Sequence, residues 1–173
     1  MMRDMRNTAS STVDFFARFS SSEQFERVFK QGMSLVEETA NYLDGEGRGD
    51  SRALDRSGAI AYATESMRLT TRLMQLASWL LLQRAIATGE VKPDDATRQK
   101  SRVSLSDIGE GAPIPGADLL PEGLRTLVDR SLRLHERIIK LDCMITDKEA
   151  VEPANNNPVA SQLNQLARAF GNG

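Results

Sequence analysis

The sequence is poor in several residue types, and each scarcity excludes a class of protein. Its 173 residues include one cysteine, so an internal disulfide is impossible and a reducing compartment is indicated. Aromatic residues make up 5% of the chain, so the core must be mainly aliphatic and methionine-rich. Basic and acidic residues nearly balance, 22 against 24, so no basic excess points to nucleic acid or an anionic membrane as a partner.

Long hydrophobic runs are also missing. No apolar stretch approaches the roughly 20 residues of a membrane span, and residues 1–19 lack the apolar core of a secretory signal peptide. We therefore expect a cytoplasmic protein without membrane association. At 40% hydrophobic residues the chain can still bury a core, and its length fits one domain.

Three long segments have the apolar periodicity of helices, at about 22–43, 54–88 and 121–146. A glycine-rich segment, 45–49, predicts a flexible connector between the first two. The stretch 89–120 is rich in proline and glycine, which predicts a long loop before the third helix.

The second predicted helix is the most informative. Between Thr70 and Ala87 it contains no glycine or proline, and apolar residues cover about two thirds of its circumference. Trp79 lies in the middle of the remaining polar arc. Because Trp and Arg are typical of binding hot spots, we predict that this arc faces a partner protein. The arc comprises Arg68, Arg72, Gln75, Trp79 and Gln83. Packing of Trp79 inside the bundle or a dimer is an equally favoured interpretation.

The three helices predict an all-α fold, an up-down-up three-helix bundle over residues 21–147 with a long central helix. Three helices leave one face of the central helix open, so we expect a homodimer. Residues 1–20 are predicted to be a flexible arm, and 148–173 a disordered tail. Apolar residues at helical spacing predict a short amphipathic segment, 159–170, in this tail. Its Leu163, Leu166 and Phe170 are predicted to bind a partner's groove.

No pattern of nucleophile, acid–base pair, metal ligands or glycine-rich loop indicates catalysis, so we expect no catalytic residue, metal or cofactor. His135, the single histidine, lies at the edge of an apolar stripe. Histidine phosphotransfer domains usually carry Lys and then Gly where this chain has Ile138 and Ile139, so a structural histidine is favoured. A phosphotransfer protein using His135 and a purely structural dimeric bundle are the alternatives. Cys143 has no base nearby in the sequence and is interpreted as a packing residue.

Two segments are similar to a known family. Residues 68–85, RLTTRLMQLASWLLLQRA, resemble the central helix of the RcdA family, the alphaproteobacterial regulators of CtrA degradation. Residues 120–142, LPEGLRTLVDRSLRLHERIIKLD, resemble its third helix, and the resemblance extends over about 22–146.

This resemblance implies a dimeric three-helix bundle without enzymatic activity that serves as an adaptor for the ClpXP protease in cell-cycle-regulated proteolysis. The partners it implies are ClpX and ClpP, the priming adaptor CpdR, the further adaptor PopA, and CtrA and other cargo proteins. Recruitment to a cell pole is compatible with it. No short motif of the family fixes a partner contact, so the site residues named above rest on helical periodicity alone.

Overall fold

The computed structural model describes residues 22–92, 95, 99, 103, 105 and 111–151, with side chains described through Thr146 in the last helix. The helices whose bounds are described are α1 (Glu23–Asp44), α2 (Glu46–Ala53), α3 (Arg56–Ala87) and α4 (Glu122–Val151), with a 3₁₀ turn at Ala117–Leu119. No strand occurs in the described ranges, and the all-α class with a long central helix is confirmed. The chain divides into two compact units, the first ending at Leu141 and the second beginning at Asp142.

Side-chain caps define where two of the long helices begin. The Ser22 hydroxyl accepts a hydrogen bond from the Phe25 amide at 3.2 Å, and glutamates fill the first turn of α1. The Asp55 carboxylate accepts from the Gly58 amide at 2.7 Å at the start of α3. Each cap satisfies a backbone donor that has no partner within its helix, which stabilises the helix end.

The glycine-rich segment after α1 is not a flexible connector, so that prediction is wrong. Residues 46–53 form α2, and Gly47 is buried. A Cβ atom at Gly47 would lie only 2.5 Å from the Tyr62 hydroxyl oxygen and 2.9 Å from the Tyr42 ring. The segment folds because its small residues let the helix approach two tyrosines, a contact that the local sequence does not reveal.

The core lies where α1, α3 and α4 meet. A Cβ atom at Gly32 of α1 would lie 2.5 Å from Leu80 Cδ1 and 3.7 Å from Leu134 Cδ2, so all three helices approach closely at this glycine. The buried hydrophobic side chains of these helices are mostly aliphatic, as the low aromatic content requires. They include Phe25, Val28, Leu35, Leu69, Leu73, Leu76, Leu80, Leu124, Leu127, Leu134 and Ile138.

Contacts along α1 show the directions of the other two helices. Arg137 donates to the Gln31 side chain at 2.9 Å, while Arg130, earlier in α4, bonds to Glu38, later in α1. The helices α1 and α4 are therefore antiparallel. Gly32 lies next to Leu80 of α3, and the Arg84 guanidinium lies 4.6 Å from the centre of the Phe29 ring, so α1 and α3 are antiparallel as well.

It follows that α4 runs parallel to α3, and the predicted up-down-up order is corrected to up-down-down. The reason is the length of the connection between them. The 32 residues of α3 extend over about 48 Å at 1.5 Å per residue. A connection over residues 88–121 can span more than twice that distance when extended. Near its end, Gly116 lies against Ser57 at the start of α3.

Candidate protein-binding surfaces

The polar arc predicted on the central helix lies largely inside the bundle. Trp79, Arg72 and Gln83 are exposed by only 2%, 1% and 2%. The Arg72 guanidinium donates to the Ser131 hydroxyl of α4 at 2.7 Å, and that hydroxyl donates to the Val128 carbonyl. The prediction that these three side chains face a partner at the surface is therefore wrong, because α4 packs parallel to α3 over this arc.

The other predicted site residues are placed differently. Arg68 is half-buried and donates to the Ala112 carbonyl at 2.7 Å, with its guanidinium 4.0 Å from the Glu65 carboxylate. Gln75 is half-buried, and its side-chain oxygen is buried without a hydrogen bond. Leu163, Leu166 and Phe170 lie outside the described residues. A binding role for these five stays a prediction.

His135 has the environment of a structural histidine. Its side chain is exposed by 5%, and Nε2 lies 2.7 Å from the Leu105 carbonyl oxygen. With the proton on Nε2, the imidazole donates to that carbonyl. A histidine that exchanges phosphate with another protein must be reachable by its phosphodonor, and this one is covered by the connection between α3 and α4. Within the described ranges, no group of three or more His, Cys, Asp or Glu residues is placed to hold a metal ion.

A row of exposed apolar side chains runs along α3. Ile60, Met67, Met74 and Leu81 are exposed by 59%, 72%, 66% and 52%. They follow one another at intervals of seven residues, so they lie on one face of the helix. The seven-residue spacing is visible in the sequence, but helical periodicity alone could not distinguish these exposed residues from those that fill the core.

This row borders an apolar groove between α1 and α3 with a volume of about 360 Å³. Among the described residues, none that lines the groove is charged. Its lining residues are Val36, Thr39, Ala40 and Leu43 of α1, and Thr70, Leu73, Met74, Ala77, Ser78 and Leu81 of α3. Met74 and Leu81 belong to both features, so the row and the groove form one continuous surface, which we call the apolar face. Such patches on a protein surface mark sites of association.

The opposite flank of α1 is polar. Glu38 forms a bidentate ion pair with Arg130, and Ser34 also donates to its carboxylate at 3.0 Å. The hydrogen bond from Arg130 is the main reason that the pKa of Glu38 lies below its usual value of 4.5. Both side chains are more than a third exposed, so the pair contributes little to stability. The two flanks of α1 thus differ sharply: the flank at the apolar face offers uncharged surface for association, and the other carries an ion pair.

None of the helices in the part of the chain that the structure describes is both long enough and apolar enough to cross a membrane.

These features define an all-α helical bundle with an exposed apolar face. Residues 16–170 match the family described as "Protein of unknown function (DUF1465)". Among solved structures, the chain is similar to RcdA from Caulobacter crescentus CB15, with 50% sequence identity and a TM-score of 0.59. That similarity covers 75% of this chain and 96% of the other. No curated protein matches the chain. The chain belongs to the RcdA family.

Proposed function

We propose that this protein is a non-enzymatic adaptor that brings cargo proteins or further adaptors to the ClpXP protease in cell-cycle-regulated proteolysis. The observation that carries the proposal is the exposed apolar face on a helical bundle of the RcdA family. An adaptor acts by raising the effective concentration of its cargo at the protease, so it needs binding surfaces and no chemistry of its own.

The proposed partners follow from family membership. The adaptor engages ClpX and ClpP after CpdR has primed the protease, and it delivers PopA, CtrA or other cargo. We propose that it acts in the cytoplasm and is recruited to a cell pole when the protease is there. His135 is not proposed as a phosphate carrier, because its side chain is buried and forms a hydrogen bond with the Leu105 carbonyl, as a structural histidine does.

The apolar face also supports a homodimer. Four large apolar side chains at seven-residue intervals are the pattern by which two helices pack along a seam. A two-fold axis makes the same surface serve both subunits, which is the commonest arrangement among oligomers. We propose that two copies of α3 pack along this row.

The experiment is reconstituted proteolysis. Purified ClpX, ClpP, CpdR, PopA and CtrA are incubated with ATP, with and without this protein, and CtrA is followed over time. We expect faster loss of CtrA with the protein present and no turnover of CtrA by the protein alone. Equal rates with and without it, at a concentration at which binding of PopA or CpdR is measurable, would reject the adaptor role.

A further inference from the structure

Two methionines lie at the centre of the apolar face. Met67 and Met74 are exposed by 72% and 66%, more than Ile60 and Leu81 at the two ends of the row. Leucine at these positions covers a similar area with hydrocarbon alone, so the chemical group that distinguishes the centre of the row is the thioether sulfur. An exposed thioether is open to oxidation, and the sulfoxide that forms is polar where the thioether was apolar.

The surface around Met74 offers no available donor to a sulfoxide oxygen. Among the described residues, none that lines the groove is charged. Two of its hydroxyls donate to carbonyls of their own helix, Thr70 to Ser66 and Ser78 to Met74, each at 2.8 Å. The third hydroxyl belongs to Thr39, whose side chain is only 4% exposed and lies below the groove surface. A sulfoxide covered here by an associating surface therefore receives no hydrogen bond from the groove, which costs free energy.

The other methionines that the structure describes are placed differently. Met33 of α1 is half-buried, and Met144 is 52% exposed but belongs to the second unit of the chain, which begins at Asp142. Neither belongs to the row or lines the groove. Oxidation of Met67 and Met74 is therefore the change that puts polar groups into the row, and Met144 serves as an exposed comparison.

We propose that Met67 and Met74 form a redox modification site, and that their oxidation by a hydroperoxide switches off association at the apolar face. With hydrogen peroxide, the sulfur attacks one peroxide oxygen, an S–O bond forms and the O–O bond breaks. The released oxygen leaves as water with both protons, so the thioether is oxidised to a sulfoxide while the peroxide is reduced. Methionine sulfoxide reductases reverse the modification, which makes it a switch.

The inference deepens the proposed function and rests on association at the apolar face. In a dimer packed along the row, both sulfurs are covered, so oxidation acts on the free subunit. Because the sulfoxide form associates more weakly, oxidation draws the equilibrium away from the dimer.

The test treats the full chain with hydrogen peroxide and compares three proteins. All carry Cys143→Ser, because Cys143 is exposed and also reacts with peroxide. The first has no further change, the second carries Met67→Leu with Met74→Leu, and the third carries Met144→Leu. Peptide mass spectrometry measures which methionines have gained an oxygen, and analytical ultracentrifugation measures the Kd of the dimer before and after treatment.

We expect peroxide to weaken the dimer of the first and third proteins by about tenfold or more, since a polar group is then buried without a partner. The Kd of the second protein should be the same before and after treatment. Incubation of the oxidised first protein with both methionine sulfoxide reductases, one for each sulfoxide epimer, should restore its original Kd.

A second measurement separates this inference from the homodimer itself. The dye anilinonaphthalene sulfonate fluoresces on exposed apolar surface, so its signal with monomeric protein should fall after oxidation of the first protein but not of the second. If the untreated chain is monomeric at every concentration, the homodimer is rejected and dye binding alone decides about the methionines. Complete oxidation of Met67 and Met74 with unchanged Kd and dye signal, and with helical circular dichroism retained, would overturn the proposal. So would unmodified Met67 and Met74 at a peroxide concentration that fully oxidises Met144.

Discussion

Gly32 shows how closely the packing of this bundle depends on a single residue. Its missing side chain leaves room for Leu80, which is completely buried. A methyl group at this position overlaps Leu80 Cδ1, and in a close-packed core neither helix can move away without opening a gap elsewhere.

We therefore predict that Gly32→Ala lowers the free energy of unfolding by about 1–3 kcal/mol, as overpacking does in other cores. The control is Gly49→Ala in α2, where a Cβ atom meets nothing within 4 Å and φ is not positive. That substitution should be neutral or stabilise by up to about 1 kcal/mol, because alanine favours helix. Urea denaturation measures both, and equal midpoints for the two variants would contradict the close approach at Gly32.

Glu38 gives a prediction about pH. Its pKa is lowered in the folded state, chiefly by the hydrogen bond from Arg130, so its carboxylate stabilises the fold above pH 4.5. The contribution is lost as the pH falls from 4.5 through the lower folded-state pKa. Because the pair is exposed, Glu38→Gln should cost only about 0.5 kcal/mol at pH 7. The difference in the free energy of unfolding between wild type and variant should disappear below the folded-state pKa of Glu38.

The measurement is the urea midpoint as a function of pH. Glu37→Gln removes a charge from the neighbouring exposed position of α1 and serves as the control. A pH dependence of Glu38→Gln identical to that of Glu37→Gln would show that the bond to Arg130 does not stabilise the protein.

At the level of elements, the three long helices were predictable, but α2 and the arrangement of the helices were not. Apolar periodicity reveals a helix because one face must be buried, whatever buries it. The direction of α4 depends instead on the long connection that precedes it. Two backbone carbonyls of that connection form hydrogen bonds with His135 and Arg68, and helical periodicity does not encode these contacts. Because periodicity does not reveal which elements pack together, the predicted exposure of Trp79 was also wrong. The helical wheel placed it among polar residues, but it is 2% exposed, and Arg72 on the same arc bonds to Ser131 of α4.

The apolar face of α3 leads to a prediction about self-association. Met67→Glu together with Met74→Glu places two charges in the middle of the row, and burying them in a dimer would leave them unpaired. We expect the variant to be monomeric by analytical ultracentrifugation at concentrations at which the wild type is a dimer. Asn41→Glu, which adds one negative charge at an exposed position of α1 away from the groove, should leave the dimer intact.

The fold itself should survive these charges, because both methionines are more than 60% exposed. Circular dichroism therefore separates loss of association from loss of structure. A dimer that persists in the folded double variant would show that the interface lies elsewhere on the bundle.

For the whole molecule, the first unit of the chain, which ends at Leu141, contains most of the buried residues and the apolar face. The predicted amphipathic segment 159–170 follows in sequence, separated from α4 by Glu152-Pro-Ala-Asn-Asn-Asn-Pro158. An adaptor benefits from such an arrangement, since a binding motif on a tether adds a second contact and multiplies the effect of the first.

We therefore predict that deleting residues 159–173 weakens cargo delivery without unfolding the bundle, because the first unit and its buried residues end at Leu141. In the reconstituted assay the rate of CtrA loss should fall severalfold, while the melting temperature and the oligomeric state stay unchanged.

The sharper variant replaces Leu163, Leu166 and Phe170 by serine, which keeps the length of the tether but removes its apolar contacts. Replacing Gln162, Asn164 and Gln165 by serine is the matched control, since it changes as many residues and leaves the apolar spacing intact. If the first triple variant delivers CtrA as fast as the wild type, the protease and cargo contacts lie on the bundle alone.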